Sequence, residues 1–398
     1  MKAAFVAVAK AVFNLLYRLF CMQKRRDEAL FVSRQFNEPS YNFRAVGDEL
    51  ERRGWEVVYL TKRLSKRSVV PYAFHVVREI FHLARCRVCF LDRYDPAVSL
   101  LDFACEDVTC CNSGAAHAEF PREPVVVQLW HAFGAFKKFG YQSLGTVEGH
   151  SPETARLFGI HRNYSWIICT GESSRAPFAE AFSYPIERVL PLGLPEYDKL
   201  RAVRAELEKR RAAGANDGSR PLKVLFAPTL RKSSESRHPF RELKQEWDAL
   251  ASDLGNIEVV WSFHPLEEGA GAAIDVSSAL LDCDIVVTDY SSIVYEAYAL
   301  GKLFAFYVPD LDEYRKSPGL NADPAQRCPE ITFADADSLK VFLEVVATGS
   351  PKGDVEAYKV AASRFIGDVF DSRAPNLAAA IAGFVEGNWW GVNRRRTK

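Results

Sequence analysis

Short apolar segments alternate with longer amphipathic segments over most of the chain. The apolar segments are rich in β-branched and aromatic residues, which is typical of buried strands. Between them, apolar positions recur three or four residues apart, as in Phe43–Arg53, and this spacing predicts helices packed on a sheet. The alternation predicts an α/β protein with parallel sheets. We predict strands at Ala29–Ser33, Glu56–Leu60, Val88–Leu91, Val125–Leu129, Trp166–Cys169, Val224–Ala227, Ile257–Phe263, Ile285–Thr288 and Phe304–Val308.

A change of composition near the middle of the chain divides these strands into two groups. Residues 200–221 begin with a charged helical pattern and end in Gly, Asn, Asp and Ser, which is typical of a linker. Two doubly wound domains joined in this way bind ligands in the cleft between them, beyond the carboxyl ends of the strands. We therefore predict a terminal helix at 1–27, a first Rossmann-like domain at 28–200, a linker at 201–221, a second Rossmann-like domain at 222–375, and a C-terminal helix and tail at 376–398.

The first 22 residues are mostly apolar but carry Lys10, Asn14 and Arg18 at intervals of four, so a helix would place these three on one stripe. The longest uninterrupted apolar run has seven residues, fewer than the roughly 20 that span a bilayer. The pattern fits either an amphipathic helix in the plane of a membrane or a helix packed on the protein itself. Trp389, Trp390 and three nearby arginines form a second cluster of the membrane-interface kind, so we predict peripheral contact with an anionic membrane surface.

Charge and cysteine content narrow the class of protein. The formal net charge is zero, which argues against nucleic acid as a partner, although residues 1–93 carry 18 Lys and Arg against nine Asp and Glu. The nine cysteines follow no disulfide framework and indicate a reduced, cytoplasmic protein. Cys86 and Cys89 have a spacing found in metal sites, but no second pair lies at a suitable distance. We predict no metal site, and the role of this pair stays open.

Polar residues directly follow four of the predicted strands. Because the carboxyl ends of parallel strands meet at one edge of a sheet, we expect these residues to line a shared cleft. The four segments are WHAFGAFKKFG at 130–140, PTLRKSS at 228–234, HP at 264–265 and TDYSS at 288–292.

The two histidines in these segments are candidate catalytic groups. His131 follows a strand, with Gly134 allowing close approach of the backbone and Lys137 and Lys138 favouring a neutral imidazole that can accept a proton. His264 precedes a proline, which disfavours helical backbone at the histidine. Read alone, each histidine is more typical of a structural group at a strand end.

The other two segments supply candidate phosphate ligands. Thr229 and Arg231 combine a hydroxyl with a guanidinium, a common arrangement around phosphate. Ser291 and Ser292 stand where a helix begins, and there hydroxyls either cap the helix or help its unpaired N–H groups to hold a phosphate. The same segment and the turn after it contribute three further candidate ligands: Thr288, Asp289 and Glu296.

Several other kinds of site have no motif in the chain. It contains neither the phosphate-binding loop of P-loop nucleotide hydrolases nor the glycine-rich fingerprint of dinucleotide-binding domains. No G-x-S-x-G elbow indicates a serine hydrolase. Asp282 and Asp284 precede a strand instead of following it, so an Asp-x-Asp metal site is not expected.

In order and spacing, these segments resemble the CDP-glycerol glycerophosphotransferase family, which includes the teichoic acid primases and polymerases of Gram-positive bacteria. The resemblance extends over residues 28–345 and is most specific in the Asp-Tyr-Ser-Ser block and the PD…EY sequence after it. The segments that carry it are Gln128–Gly140, Leu192–Asp198, Val224–Arg231, Phe263–Pro265 and Thr288–Tyr314.

The resemblance implies a GT-B-like fold, in which two Rossmann-type domains face a central cleft. It implies transfer of glycerol phosphate, or a related alditol phosphate, from CDP-glycerol to a hydroxyl of a membrane-linked teichoic acid or related cell-surface glycopolymer precursor, with release of CMP. We expect no cofactor, and whether the reaction requires a metal ion stays open. The acceptor would be polyprenyl-linked or polymeric, at the inner face of the cell membrane. The resemblance assigns catalysis to His131 and His264, and the donor phosphates to Ser291, Ser292 and Arg231.

Two alternatives stay open. The fold also suits a GT-B glycosyltransferase that uses a nucleotide sugar, and a non-catalytic relative that binds nucleotide or lipid. The chain departs from the family pattern at Pro195–Asp198, at Ser262–Phe263 and after Tyr314. These departures leave open whether the donor carries glycerol or ribitol, which acceptor is used, and whether one unit or many are added.

Overall fold

Two parallel β-sheets, each covered by helices, form the framework of the protein. The computed structural model describes residues 2–63, 69–103, 124–212, 220–229, 238–250, 256–263, 276–349, 352–372 and 374–393. All strand pairs of both sheets are parallel, as the alternating pattern of the sequence predicts.

The first sheet has six strands in the order β2-β1-β3-β4-β5-β6. Its central strands are buried on both faces, which explains their continuous apolar sequences. The strands are β1 (Glu28–Ser33), β2 (Glu56–Thr61), β3 (Val88–Leu91), β4 (Val125–Gln128), β5 (Trp166–Ile168) and β6 (Val189–Leu190).

Six α-helices of the described first half accompany this sheet. Short polar side chains fix where several of them begin, because they accept hydrogen bonds from otherwise unpaired N–H groups of the first turn. Ser40 accepts from the N–H of Phe43, and Asp95 accepts from the N–H groups of Ala97 and Val98. The helices are α1 (Lys2–Phe20), α2 (Tyr41–Arg52), α3 (Val69–Arg85), α4 (Pro96–Leu100), α5 (Pro152–Phe158) and α6 (Arg175–Phe182).

The second sheet has five strands in the order β11-β10-β9-β7-β8. The strands are β7 (Leu222–Phe226), β8 (Ile257–Trp261), β9 (Ile285–Thr288), β10 (Leu303–Tyr307) and β11 (Thr332–Phe333). Helix α7 (Glu196–Ala212) leads into this half, so helix occupies much of the predicted linker. The remaining helices are α8 (Pro239–Leu250), α9 (Val276–Asp282), α10 (Ile293–Ala299), α11 (Leu311–Lys316), α12 (Pro324–Arg327), α13 (Ala336–Thr348), α14 (Lys352–Ile366) and α15 (Leu377–Asn393).

The last helix returns to the first half of the molecule. Arg53 Nη1 lies 2.7 Å from Glu386 Oε2, and Trp55 Nε1 donates to Glu386 Oε1 at 3.1 Å. The N–H of Leu377 donates to Asp198 Oδ2 at 2.7 Å where α15 begins. These bonds attach the end of the chain to α2 and α7 and so hold the two sheets together.

All nine predicted strands occur in the structure, and their ends differ from the predictions by at most two residues. The strands β6 and β11 were not predicted, because two residues are too few to give a periodic signal. The α/β fold with two parallel sheets is confirmed.

Candidate active site

A cleft of ≈ 580 Å³ lies between the two halves, at the carboxyl ends of β3, β4 and β9. The first half contributes most of its lining, and the second half contributes Tyr290 and Ser292. Such a crevice is where open parallel sheets bind ligands. Its ionisable lining residues include Arg93, Tyr94, His131, Lys137, Lys138, Glu148, His150 and His161.

His131 is held in one orientation by the backbone of the neighbouring strand connection. Its Nδ1 lies 3.1 Å from the carbonyl oxygen of Asp92. A carbonyl oxygen only accepts hydrogen bonds, so Nδ1 carries the proton and Nε2 keeps a free lone pair. The dense protein around the imidazole, together with the nearby Arg93 guanidinium, lowers the pKa of His131 to about 4, while the bond to Asp92 opposes this shift. The side chain opens into the cleft as a neutral proton acceptor.

The backbone before His131 is strained. Trp130 has φ 58°, a conformation that residues with a side chain rarely adopt and that costs on the order of 1–3 kcal/mol. Two contacts hold it: its N–H donates to Gln128 Oε1 at 2.9 Å, and its ring stacks on Phe139 with centroids 4.8 Å apart. The turn directs His131 away from the sheet. The centroid of the His131 ring lies 4.2 Å from that of the Trp130 ring.

Gly134 brings the same loop against the second half of the molecule. Its φ is +62°, and a Cβ placed on it would lie 2.5 Å from the ring of Tyr295 on α10. Its N–H donates to Thr170 Oγ1 at 3.1 Å. The backbone at Gly134 thus approaches Tyr295 closely, and a direct role of Gly134 in substrate binding stays a prediction.

The next residues of the loop are joined to the second half by a set of contacts that we call the clasp, formed by residues 136–138 and 319–322. Phe136 is buried against Phe306 and Phe365, with ring centroids 5.5 and 5.1 Å away. The N–H of Asn321 donates to the Phe136 carbonyl at 2.9 Å. Two further bonds run from the Lys138 N–H to the Gly319 carbonyl at 3.0 Å and from Asn321 Nδ2 to the Lys137 carbonyl at 3.0 Å.

The two predicted lysines lie in the cleft wall. Lys137 Nζ is 4.0 Å from Glu148 Oε2, so part of its charge is already compensated. The side chain of Lys138 is exposed. Both positions give the first half a positive wall near His131, as a site for phosphate requires.

On the opposite side, Thr288 and Asp289 join two strands. The Thr288 hydroxyl donates to the Ala227 carbonyl at 2.6 Å. Asp289 Oδ1 accepts from the N–H groups of Thr229 at 2.8 Å and Tyr290 at 2.6 Å. Thr288 and Asp289 are almost fully buried. Their contacts fix the ends of β7 and β9, and a direct role in ligand binding stays a prediction.

The two serines differ in their surroundings. Ser291 Oγ accepts from the N–H of Ile293 at 3.4 Å, a long hydrogen bond. Ser292 lines the cleft and makes no side-chain bond to the helix that it precedes. The capping role open at the sequence level is thus weak at Ser291 and absent at Ser292.

Glu296 lies one turn into α10, and its Oε2 is buried without a hydrogen-bond partner among the described residues. Burial, with a smaller contribution from the charge of Glu196, raises the pKa of Glu296 to about 8. Glu196 itself is held by Asn42, whose Oδ1 accepts from the Glu196 N–H at 2.8 Å. A carboxyl that keeps its proton near pH 7 can both donate and accept a hydrogen bond, which suits the predicted contact with ribose hydroxyls.

Thr229 is buried with its hydroxyl lacking a partner in the described part of the chain. The predicted residues His264 and Arg231 lie outside the described residues. Within the ranges described, no group of three or more His, Cys, Asp or Glu side chains is placed to hold a metal ion. Cys86 and Cys89 are free thiols buried at the start of β3, and burial raises the pKa of both.

Sequence reasoning missed several cleft residues. Arg93 and Tyr94 follow β3 as polar residues follow the other strands, so the same rule of strand ends identifies them. His161 gave no such signal, because it comes from a turn between α5 and β5. Its Nδ1 is 3.1 Å from the Tyr164 hydroxyl, and burial lowers the pKa of His161 to about 3.

The family model for CDP-Glycerol:Poly(glycerophosphate) glycerophosphotransferase matches residues 15–367. The chain therefore belongs to this family, which makes it a CDP-alditol phosphotransferase and confirms the predicted family and enzyme class. The chain is similar to the teichoic acid ribitol-phosphate primase of Bacillus spizizenii, with 28% identity over 79% of this chain and 82% of the relative. It is also similar to the teichoic acid glycerol-phosphate primase of Bacillus subtilis, with 23% identity over 67% of each chain.

A solved structure of the wall teichoic acid polymerase TagF shares the fold. The TM-score is 0.67 at 15% sequence identity, and the match covers 100% of this chain and 99% of that chain. At this identity the likeness concerns the fold alone, and it confirms the predicted pair of Rossmann-type domains.

Proposed function

We propose that the protein transfers glycerol phosphate, or the related ribitol phosphate, from its CDP-linked form to a hydroxyl of a membrane-linked teichoic acid precursor and releases CMP. The observation that carries this proposal is His131, a neutral imidazole whose free Nε2 lies in a cleft between two Rossmann-type halves. Both curated relatives described above are primases of this pathway, one named for ribitol phosphate and one for glycerol phosphate.

In the proposed reaction, the acceptor hydroxyl attacks the β-phosphorus of the CDP-alditol. A new phosphorus–oxygen bond forms, the bond from the β-phosphorus to the bridging oxygen breaks, and CMP leaves with that oxygen. His131 Nε2 takes the hydroxyl proton. Transfers of this kind depend mainly on positioning and charge neutralisation, so the cations near the cleft matter as much as the base.

The donor is proposed to lie against the second half. Ser291 and Ser292 donate to its phosphates, together with Thr229 and the predicted Arg231. Glu296 is proposed to contact the ribose hydroxyls, consistent with its unpartnered Oε2. His264 is proposed to stabilise the phosphate or the departing CMP.

The test is a donor screen with purified protein that follows CMP release from CDP-glycerol and CDP-ribitol, with UDP-glucose as the comparison. Lipid-linked teichoic acid precursor serves as acceptor. Acceptor-dependent CMP release supports the proposal, and the preferred CDP-alditol identifies the donor. Consumption of UDP-glucose alone would support the glycosyltransferase alternative, and nucleotide binding without turnover would support the non-catalytic one.

Replacing Ser291 and Ser292 together by alanine should weaken CDP-alditol binding by about 1–3 kcal/mol, because hydrogen bonds from hydroxyls to charged oxygens are strong. Calorimetric titration measures this loss, and a melting curve measures stability. Ser40→Ala is the matched control, because Ser40 caps α2 with a bond of 3.3 Å to the Phe43 N–H. The control should lower stability with unchanged affinity. The same outcome for the double variant would reduce the serines to capping residues.

We also propose that α1 holds the protein on the inner face of an anionic membrane. Two residues of the predicted polar stripe bond the protein, and the third, Arg18, is exposed: Lys10 Nζ is 2.9 Å from Asp102 Oδ1, and Asn14 Nδ2 donates to the Leu100 carbonyl at 3.1 Å. The helix is thus packed on the protein itself, which is one of the two arrangements that the sequence pattern fits. By length and composition α1 is also apolar enough to cross a membrane, but its bonded polar face favours a position in the membrane plane.

The outer face of α1 carries exposed apolar side chains. Phe5 is 71% exposed and Leu15 is 61% exposed, and Phe74 on the neighbouring α3 is 72% exposed. Val8, Val12 and Leu19 of the same helix are exposed as well. These exposed apolar side chains can be buried only against another apolar phase, which supports contact with lipid.

Leu15→Glu combined with Leu19→Glu should therefore lower binding to phosphatidylcholine–phosphatidylglycerol vesicles by at least about tenfold, since each exposed leucine contributes about 1.5 kcal/mol or more when buried in lipid. Co-sedimentation at two salt concentrations measures binding, and high salt should weaken it. Val341→Glu, at an equally exposed position on α13, is the control. Vesicle binding that is the same for the double variant and the wild type, and the same at both salt concentrations, would contradict the proposal.

A further inference from the structure

Two polar side chains that line the cleft beside His131 each carry a buried atom without a hydrogen-bond partner in the described part of the chain. Arg93 and Tyr94 follow β3 and line the cleft. The Arg93 Nε and the Tyr94 hydroxyl are buried, and neither has a hydrogen-bond partner among the described residues. Buried polar groups in proteins are almost always bonded, so two orphans facing one cleft indicate a ligand that accepts hydrogen bonds.

Neither nearby carboxylate forms an ion pair with Arg93 among the described residues. Asp95 is engaged elsewhere: it caps α4 and lies 3.8 Å from Arg34. The charge of Asp92 attracts Arg93 only from beyond ion-pair distance, and burial, which outweighs this attraction, raises the pKa of Asp92 to about 6. Burial also lowers the pKa of Arg93 itself, which reflects a guanidinium partly stripped of water. An anion bound at Arg93 gains a strong charge-assisted hydrogen bond, and the guanidinium loses little further water when the anion binds.

The position of Arg93 relative to the base identifies which anion this is. His131 donates to the carbonyl of Asp92, so the anchor of the base immediately precedes Arg93 in the chain. The acceptor hydroxyl must lie within hydrogen-bond distance of His131 Nε2. The proposed donor contacts at Ser291 and Ser292 come from the other half of the molecule. A negative group on the first-half side, next to the base, therefore belongs with the acceptor.

We propose that Arg93 and Tyr94 bind the phosphate of an alditol phosphate at the reactive end of the acceptor. The inference rests on the proposed function, because it takes the acceptor to be a growing alditol phosphate. It adds a specificity site: an acceptor end that carries a phosphate is held with its hydroxyl at the base, and a plain sugar hydroxyl is not.

The arrangement also links acceptor binding to catalysis. The charge of Arg93 is one of the factors that lower the pKa of His131. An anion bound to Arg93 offsets that charge, so His131 becomes a stronger proton acceptor once the acceptor is in place. The base is then strongest when a hydroxyl is present to be deprotonated.

The binding test uses sn-glycerol 3-phosphate as a soluble probe and CDP as the donor-side probe. Arg93→Gln should weaken binding of glycerol 3-phosphate by at least about tenfold, and Tyr94→Phe by severalfold, with CDP binding unchanged. Arg87→Gln is the matched control, because Arg87 precedes the opposite end of the same strand and pairs with Asp27. Melting curves confirm that each variant is folded.

The kinetic test measures KM for lipid-linked acceptor and for CDP-alditol separately. Arg93→Gln should raise the acceptor KM by at least about tenfold and leave the donor KM within about twofold. Equal weakening of CDP and glycerol 3-phosphate would place the donor diphosphate at Arg93 and overturn the inference. Glycerol 3-phosphate binding that is undetectable in the wild type, or unchanged in both variants, would also overturn it. If the wild type releases no CMP from any CDP-alditol, the proposed function fails, and the binding test still decides on the anion site.

Discussion

Replacement of His131 by alanine is expected to lower transfer by about 10²–10⁴-fold, the usual contribution of a general base. The protein should stay folded and keep its affinity for CDP, because the imidazole is open to the cleft and its one hydrogen bond among the described residues is to a backbone carbonyl. CMP release under saturating donor measures the loss, and calorimetry with CDP measures binding.

Two comparisons separate loss of the base from general damage. His82→Gln changes a histidine that bonds Glu28 at the other end of the sheet, 2.8 Å away, and should keep activity per folded molecule. Added imidazole should partly restore the alanine variant, because it supplies the missing acceptor. Turnover of the alanine variant within about tenfold of wild type would remove His131 from the role of base.

The pH profile of the wild type follows from the same residue. The base acts when neutral, and the pKa of His131 is lowered to about 4, so its activity is lost only as pH falls through that value. The kcat/KM of the free enzyme should stay level from pH 7 down to about 5, where an ordinary histidine near 6.5 would already be protonated. An acid limb centred near 6.5 would contradict the environment described for His131.

Gly134→Ala is expected to cost more than about 2 kcal/mol of stability and to reduce transfer as well. An alanine at φ +62° is strained by about 1–2 kcal/mol, and its Cβ would meet the Tyr295 ring at 2.5 Å, which adds about 1–3 kcal/mol. The clash pushes the loop that carries His131 away from α10. Denaturant unfolding and CMP release provide the two measurements.

Gly349→Ala supplies the control for strain alone. Gly349 has φ +66° at the end of α13, and a Cβ there would meet nothing within 4 Å. The difference between the two variants is the cost of the contact with Tyr295. Equal losses of stability, with full activity in both, would show that the close approach at Gly134 does not position the base.

The parts of the fold that depend on local pattern were predictable. Strands such as Val88–Leu91 and Ile285–Thr288 match their predicted bounds, because buried parallel strands have continuous apolar sequences. The rule that ligands bind beyond strand ends correctly placed His131 and Ser292 at one cleft.

Other features depend on contacts between distant residues and leave no local signal. The sequence does not indicate that Phe136 inserts into the second half. It also does not indicate that the side chains of Thr288 and Asp289 form hydrogen bonds with the backbone that follows β7. The stripe of Lys10, Asn14 and Arg18 was predictable, but the contacts of Lys10 and Asn14 were not, because Asp102 and the Leu100 carbonyl that bond them come from another part of the chain. The rule of strand ends also identifies Arg93, which was not among the predicted site residues.

The clasp has a consequence for how the two halves move. Phe136 belongs to the first half by sequence but is anchored in the core of the second, five residues after His131. A hinge motion that opens the cleft therefore cannot carry the whole loop with the first sheet; it must bend the backbone between Gln128 and Phe136, where Trp130 is already in a strained conformation. The histidine sits on this segment, tethered to the Asp92 carbonyl on one side and to the clasp on the other. Opening of the cleft would thus displace the proton acceptor from its position in this structure.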